Sequence, residues 1–323
     1  MTDTSLAQRS VQWRQFEVVP KAAALGAEIR GFDLRQLDDA SFKLIHAAWL
    51  DNILLVFRRQ TLTAQDLVNL VKRFGTPVSS SNLHQRNLDE RAANQLYNLP
   101  PEVTVVSNVK DQGKTIGILG DGEIAWHSDF SFKAAPTAAR MLVAMEIPPH
   151  ETGGDTFFLN GYASYDALSA EQKKRLSGKT IKQGNTVDTA MKLRPGASLT
   201  DDIRYTPGPS HPIISTHPET RRNSLFLGRR HSAYVNGCSL EESEALLNEL
   251  WNYFTQPRYC YEHRWAVGDV VIWDNRCTLH RRDAFDSAAR RVLYAAQVEG
   301  HKPFEAPDAL SLLAHPRANL FKS

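Results

Sequence analysis

At 323 residues, with 42% apolar and 23% charged residues, the chain has an ordinary globular composition and ample length for a buried core. The 38 Lys and Arg nearly cancel the 36 Asp and Glu, which excludes nucleic acid or an anionic membrane as the expected main partner. No apolar run approaches the ~20 residues of a membrane span, and three irregularly spaced cysteines (Cys238, Cys260, Cys277) suit neither a disulfide framework nor a thiolate metal site.

Residues 16–34 alternate apolar and polar positions around Gly26 and Gly31, as short strands and turns do. From Asp38 the period becomes helical, with Phe42, Ile45, Trp49 and Leu50 on one face; Ile53–Phe57 then reads as a buried strand. Thr63-Ala-Gln-Asp66 resembles a capping box opening a helix that buries Leu67, Leu70, Val71 and Phe74 and stops at Gly75. The polar stretch 76–101 is expected to be a long loop, and 184–211, rich in Gly, Pro, Thr and Asp, a second one. Val103–Asn108, Ala125–Phe132, Arg140–Ile147, Thr156–Leu159, Val270–Trp273 and Arg291–Val298 are candidate strands. Ser169-Ala-Glu-Gln172 and Ser239-Leu-Glu-Glu242 open two further helices, the second burying Leu246, Leu247, Leu250, Trp251 and Phe254 before Pro257. Without repeats or low-complexity linkers, the chain is expected to be one domain spanning residues 1–323, with a core over 16–300 and a tail at 301–323. The polar first residues lack a signal-peptide core, so a cytoplasmic location is expected. Mainly β content with peripheral helices predicts a double-stranded β-helix, a cupin-like jelly roll whose mouth suits a metal and a small molecule.

The chemistry centres on His127-Ser-Asp129, inside the aromatic run Ile124–Phe132, and on His280 some 150 residues later. An extended backbone places residues i and i+2 on one side. If His280 joins that pair, two imidazoles and a carboxylate cap one face of a ferrous ion and leave the other open, as in non-haem Fe(II) oxygenases. A bare His-x-Asp is a weak signal. His217-Pro-Glu219 offers a decoy with the same spacing, but its proline and neighbours read as a turn.

Five segments in register make the signal specific. Trp126-His-Ser-Asp129, Gly153-Gly-Asp-Thr156, Gly268-Asp-Val-Val-Ile-Trp-Asp-Asn-Arg276, His280 and Arg291 together resemble the taurine and 2,4-dichlorophenoxyacetate dioxygenase family, over about residues 16 to 300. The resemblance implies an Fe(II)/2-oxoglutarate-dependent dioxygenase in which His127, Asp129 and His280 hold iron. Thr156 and Arg291 then bind the distal carboxylate of 2-oxoglutarate. O2 and 2-oxoglutarate are consumed, succinate and CO2 are released, and a small organic substrate is hydroxylated, which cleaves it when the attacked carbon bears a heteroatom. Asp129 as a ligand argues against halogenation, since related halogenases lack that carboxylate. An arginine fork plus a hydroxyl is also the partner that elementary electrostatics asks for around a buried carboxylate. Arg291 and Arg290 are expected to point in and out of the barrel respectively.

At the substrate end this sequence departs from that pattern. Several family members that bind a sulfonate or carboxylate carry a second arginine four residues after the co-substrate arginine; here that position is Ala295. The loop after Gly75, which supplies a histidine in the taurine enzymes, reads Thr-Pro-Val-Ser-Ser-Ser here, so taurine is not the expected substrate. A carboxylate or aromatic compound is expected instead, contacted by Asn108, Lys110, Phe130 and Ser80. Asp274, Asn275 and Arg276 read as a structural cluster, Trp126 and Trp273 as packing beside the site, and His231 as a packed or solvated histidine. Two alternatives stand beside hydroxylation: a desaturase or N-group oxidase on the same scaffold, and a non-catalytic jelly-roll binding protein. The family commonly forms dimers or tetramers, so a homo-oligomer is expected.

Overall fold

Period-two apolar runs and capped amphipathic helices give a mainly β molecule with a few helices. The computed structural model describes residues 11–12, 16–22, 24–79, 98–188, 193–194, 196–231 and 233–307. The largest sheet runs, edge to edge, through Val11–Gln12, Glu17–Pro20, Ala27–Arg30, Leu54–Phe57, Val270–Asp274, Ala139–Glu146, Val292–Val298, Thr104–Ser107 and Ile118–Leu119. A second sheet holds Cys260–His263, Thr156–Asn160, Thr278–Arg282 and Ile124–His127. Alternation sorts the large sheet into two layers. Ala139, Met141, Val143, Ala296 and Val298 pack with the helices Asp39–Asn52 and Ala64–Phe74. Leu142, Ala144, Val271, Trp273, Leu293 and Ala295 pack on the opposite side, with Phe158 of the second sheet. Each fully buried Leu or Phe here contributes about 1.5–3 kcal/mol.

Most expected elements form within a residue or two. Thr63–Asp66, Ser169–Gln172 and Ser239–Glu242 all make reciprocal capping boxes, and Asp38–Ser41 adds a fourth. Two sequence readings need correction. The strand expected over 125–132 ends at His127, and Asp129 and Phe130 lie in the turn that follows. Phe130 sits there at φ 56, a conformation costly for an aromatic residue and held by its surroundings. His280 is central in the strand Thr278–Arg282, which the candidate strands did not include. Helix Gly161–Asp166 and the hairpin Ile214–Thr216 with Asn223–Leu225 were not foreseen either. The loops 76–101 and 184–211 and the tail 301–323 fall partly outside the described residues.

The Asp274–Asn275–Arg276 cluster is structural, as its composition suggests. Asp274 is fully buried, accepting from Arg276 Nη2 at 2.6 Å and contacting His217 Nε2 at 2.9 Å. The decoy histidine is thereby used up: its other nitrogen accepts from the backbone of Glu219 and Thr220. Burial pushes the Asp274 carboxyl up, but Arg276 and His217 together outweigh it and hold it well below the usual range. Asp274→Ala is therefore expected to cost about 1–3 kcal/mol, because it leaves buried His217 without its acceptor and the half-buried Arg276 with Glu219 alone. For a depressed carboxylate, the stabilisation is present above the unfolded value of about 3.9 and lost as pH falls toward the folded value. Urea unfolding between about pH 3 and 7 should show wild-type stability declining below about pH 4, with a flatter profile for the variant. Equal stability of the two proteins at neutral pH would contradict this.

Candidate metal and co-substrate site

Antiparallel pairing of the second sheet brings the distant segments together. His280 lies directly opposite His127 across the strand pair, and Phe158 opposes His280 on its other side. The two imidazole centroids are 4.1 Å apart. His127 Nε2 stands 3.7 Å from Asp129 Oδ1, and His280 Nε2 stands 3.6 Å from Asp129 Oδ2. All three side chains are nearly shut off from solvent.

Each of the three side chains is oriented by its own support. His127 Nδ1 bonds the Ala125 carbonyl at 2.8 Å, which fixes the ring so that the Nε2 lone pair faces the other two. His280 packs against Trp273 and Phe158, at centroid distances of 4.9 and 6.1 Å. Asp129 is held through its backbone: its N–H donates to Asn275 Oδ1 at 2.8 Å, and its carbonyl accepts from Asn275 Nδ2 at 2.9 Å. Ser128 Oγ donates to the Thr278 carbonyl, so the whole turn is stitched to the segment preceding His280. Asn275, read from sequence as structural, is what places the carboxylate.

Electrostatics leave this cluster unfinished. Burial and the neighbouring His127 and Arg140 lower the basicity of His280, keeping it neutral. Burial raises the Asp129 carboxyl, but Arg140, His280 and His127 overcome this and keep it ionised. Two imidazole nitrogens and a carboxylate thus converge, and Asp129 Oδ2 is buried with no hydrogen-bond partner. Lone pairs facing one another in a dry site are costly without a shared cation. Nitrogen and carboxylate donors with one open face fit a ferrous ion. A second possible ligand group among the described residues, His150, Asp155 and Glu262, is largely at the surface, and its His150–Asp155 contact at 2.8 Å already satisfies both.

Beyond His280 lie Thr156 and two buried arginines, Arg282 and Arg291. Thr156 lies opposite Arg282 in the strand register, two residues along from the Phe158–His280 pair. Its Oγ1 accepts from Trp265 Nε1 at 2.9 Å, which leaves its own proton to donate. Arg291 is 2% exposed, its guanidinium 5.9 Å from the Trp265 ring and 5.8 Å from Phe285, and its Nε has no partner. Burial, then the charge of Arg282, brings its pKa down to about 9. Arg282 is also buried, donating to the Leu119 carbonyl at 3.2 Å while its Nε stays unpaired. Two buried guanidiniums without, among the described residues, a carboxylate in salt-bridge range suit an anionic ligand. The Gly153-Gly motif makes the wall: a Cβ at Gly153, at φ +88, would come 2.4 Å from the Ala284 carbonyl oxygen. Arg290 points outward to Glu146 at 2.7 Å, opposite in sense to Arg291 as expected.

The other expected contacts divide. Asn108 is committed to the protein: Oδ1 accepts from the Arg291 N–H at 3.0 Å and Nδ2 donates to the Ala289 carbonyl at 2.7 Å. It fixes the backbone leading into Arg291 rather than facing a substrate. Lys110 is exposed, on the hairpin that pairs it with Thr115. Phe130 follows Asp129 directly, and its ring packs on Phe132 at 5.5 Å with the Lys133 ammonium 4.5 Å from its centre. Ser80 lies outside the described residues. His231 is exposed, and Trp273 is wholly buried beside His280.

Sequence reasoning missed Arg140, whose Nη1 is 2.9 Å from Asp129 Oδ1, and Arg282. A signal existed for both. Arg140 interrupts the apolar run Ala138–Met145 at an inward position, and Arg282 is two residues from His280 on a strand.

Comparison with known proteins agrees with this geometry. The family model described as taurine catabolism dioxygenase TauD, TfdA family matches residues 17–297. An (S)-phenoxypropionate/alpha-ketoglutarate-dioxygenase of Sphingobium herbicidovorans is 30% identical over 316 residues, covering 93% of this chain and 99% of that protein. An alpha-ketoglutarate-dependent 2,4-dichlorophenoxyacetate dioxygenase of Cupriavidus pinatubonensis is 32% identical over 285 residues, covering 86% and 95%. Among solved structures, a taurine dioxygenase from Burkholderia xenovorans superposes with TM-score 0.68 at 28% identity, covering 92% and 99% of the two chains. AAD-2 in complex with Mn(II) and N-oxalylglycine gives TM-score 0.70 at 27% identity, covering 89% and 98%. No described helix is long and apolar enough to cross a membrane.

Proposed function

The chain belongs to the TauD, TfdA family of alpha-ketoglutarate-dependent dioxygenases, and from that premise we propose that His127, Asp129 and His280 hold Fe(II) and that the substrate is a small aromatic or ether-bearing carboxylate. The observation that carries this reading is the convergence of two imidazoles on a buried carboxylate whose Oδ2 has no hydrogen-bond partner. We read the two packed sheets as a double-stranded β-helix with this cluster at its mouth. The distal carboxylate of 2-oxoglutarate fits the cradle of Arg291 and Thr156. The phenoxyalkanoate activities of the relatives above favour the substrate class.

When bound, the iron with its keto-acid co-substrate supplies the oxidising power that inserts one atom of O2 into a C–H bond. The protein's own residues do the rest. Asn275 and Ser128 fix the turn so that Asp129 meets the imidazoles without reorganisation. Arg291 neutralises the far end of the co-substrate and the Thr156 hydroxyl donates to it, which orients the keto acid toward the metal ligands. Trp273, Phe158 and Phe130 keep the surroundings apolar and limit water. Hydroxylation beside an ether oxygen yields a hemiacetal, which falls apart to an alcohol or phenol and a carbonyl compound.

The test is direct. Protein loaded anaerobically with Fe(II) and 2-oxoglutarate should develop a visible absorption band that substrate perturbs. On aeration, succinate should form, and the product should carry one extra oxygen or be its cleavage fragments. A product lacking two hydrogens would instead establish desaturation. Failure to form succinate with any carboxylate in a broad screen would overturn the enzymatic reading.

A further inference from the structure

Resting on that reading, the structure points to a substrate contact that the sequence pattern does not contain. Ala295 stands where related enzymes carry an anion-binding arginine, and it faces inward, 3% exposed, opposite Leu142 on the neighbouring strand. Two residues along that strand, on the same face, is Arg140, diagonal to Ala295 and directly across from Gln297. A diagonal neighbour of this kind is about 7–8 Å away between backbones, within the reach of an arginine side chain. Arg140 is 9% exposed, and among the described residues its one close acid is Asp129, at 2.9 Å from Nη1. Gln297 Oε1 is buried without a hydrogen-bond partner, so a second polar side chain in the same space is left unsatisfied.

We propose that Arg140 receives the carboxylate of the substrate, doing from strand Ala139–Glu146 what an arginine at 295 does elsewhere. Without metal, Asp129 neutralises Arg140. Once Asp129 and the keto-acid carboxylate balance a divalent cation, Arg140 has lost its counterion in a nearly dry site. An unpaired buried guanidinium is costly, and a monoanionic substrate removes that cost. Binding of the substrate carboxylate is therefore coupled to metal loading, and Arg140 anchors it within a side chain's length of the metal ligands. Gln297 turns its amide NH2 toward the same anion.

The probe pairs are 2,4-dichlorophenoxyacetate and (S)-2-phenoxypropionate, each against its primary amide, titrated calorimetrically into protein loaded with Mn(II) and N-oxalylglycine. Wild type should prefer the acids by about 30-fold or more, and the preference should shrink at least tenfold, about one log unit, in metal-free protein. Arg140→Gln should abolish the preference while Arg140→Lys keeps part of it. If Arg140→Gln also weakens Mn(II), the Arg140→Gln/Ala295→Arg double variant decides: a restored acid preference supports the assignment and an absent one overturns it. A wild type without acid preference in either pair, or an Arg140→Gln protein that retains it, also overturns the assignment. Succinate formation by iron-loaded wild type separates these failures from a failure of the enzymatic reading, which would abolish turnover altogether.

Discussion

His280→Ala is expected to lose Mn(II) and Fe(II) binding by well over ~100-fold and to form no succinate above background, and Asp129→Ala is expected to behave alike. Loss of an outer partner of a metal site typically costs ~10–100-fold, so removing a direct ligand sets a higher bar. The local structure offers no understudy. His280 is wedged between Trp273 and Phe158, and apart from His127 and Asp129 themselves the space left by its ring meets these apolar side chains. Arg140 then faces Asp129 and His127 alone, a pair that closes into an ordinary ion contact and leaves no open metal face. Calorimetric metal titration with a succinate assay checks both variants. An Asp129→Ala protein that still hydroxylates, or a His280→Ala protein with wild-type metal affinity, would remove the basis for reading these three side chains as ligands.

How far the sequence carried this reading depended on what kind of force placed each residue. Helices announced themselves because a cap and a 3.6-residue period are local: Thr63, Ser169 and Ser239 each accept from the backbone three residues on, as their spacing implied. Inward and outward alternation on Val292–Val298 was also local, and Arg290 and Arg291 separate accordingly. What failed was whatever a distant residue decides. The run Ala125–Phe132 has strand composition throughout, yet Asn275 captures the backbone of Asp129 from 146 residues away and bends the chain after His127. Asn108 looked free to meet a substrate, but its amide is spent on the segment leading into Arg291. Arg140 was passed over because an arginine in an apolar run gains meaning only when register sets it beside Gln297 and diagonal to Ala295. Periodicity is written along the chain, whereas counterions are written across it.

Arg291→Leu is expected to weaken 2-oxoglutarate and N-oxalylglycine binding by about 30- to 3000-fold. Removing one partner of a buried charge pair costs about 2–5 kcal/mol, and each 1.4 kcal/mol is about tenfold. Thr156 alone, with one hydroxyl already accepting from Trp265, cannot replace the guanidinium fork. The loss should therefore fall on the distal carboxylate. A keto acid without that group, such as 2-oxobutyrate, should bind the variant about as well as it binds wild type. The ligand-free protein should respond in the opposite direction. Arg291 is a nearly fully buried cation with an unpaired Nε, pushed down to about 9 first by burial and then by Arg282. A cation whose folded pKa is depressed destabilises the native state at every pH below that folded value, so at neutral pH leucine should stabilise the apoprotein. Replacing buried charge with a packed apolar side chain is often stabilising by about 1–4 kcal/mol. Chemical denaturation without ligand, and again with saturating 2-oxoglutarate and Mn(II), separates the two effects: the variant should be the more stable protein in the first experiment and gain much less from ligand in the second. A variant that is less stable when empty and keeps its 2-oxoglutarate affinity would show that Arg291 serves packing, and that the co-substrate's far carboxylate is held elsewhere.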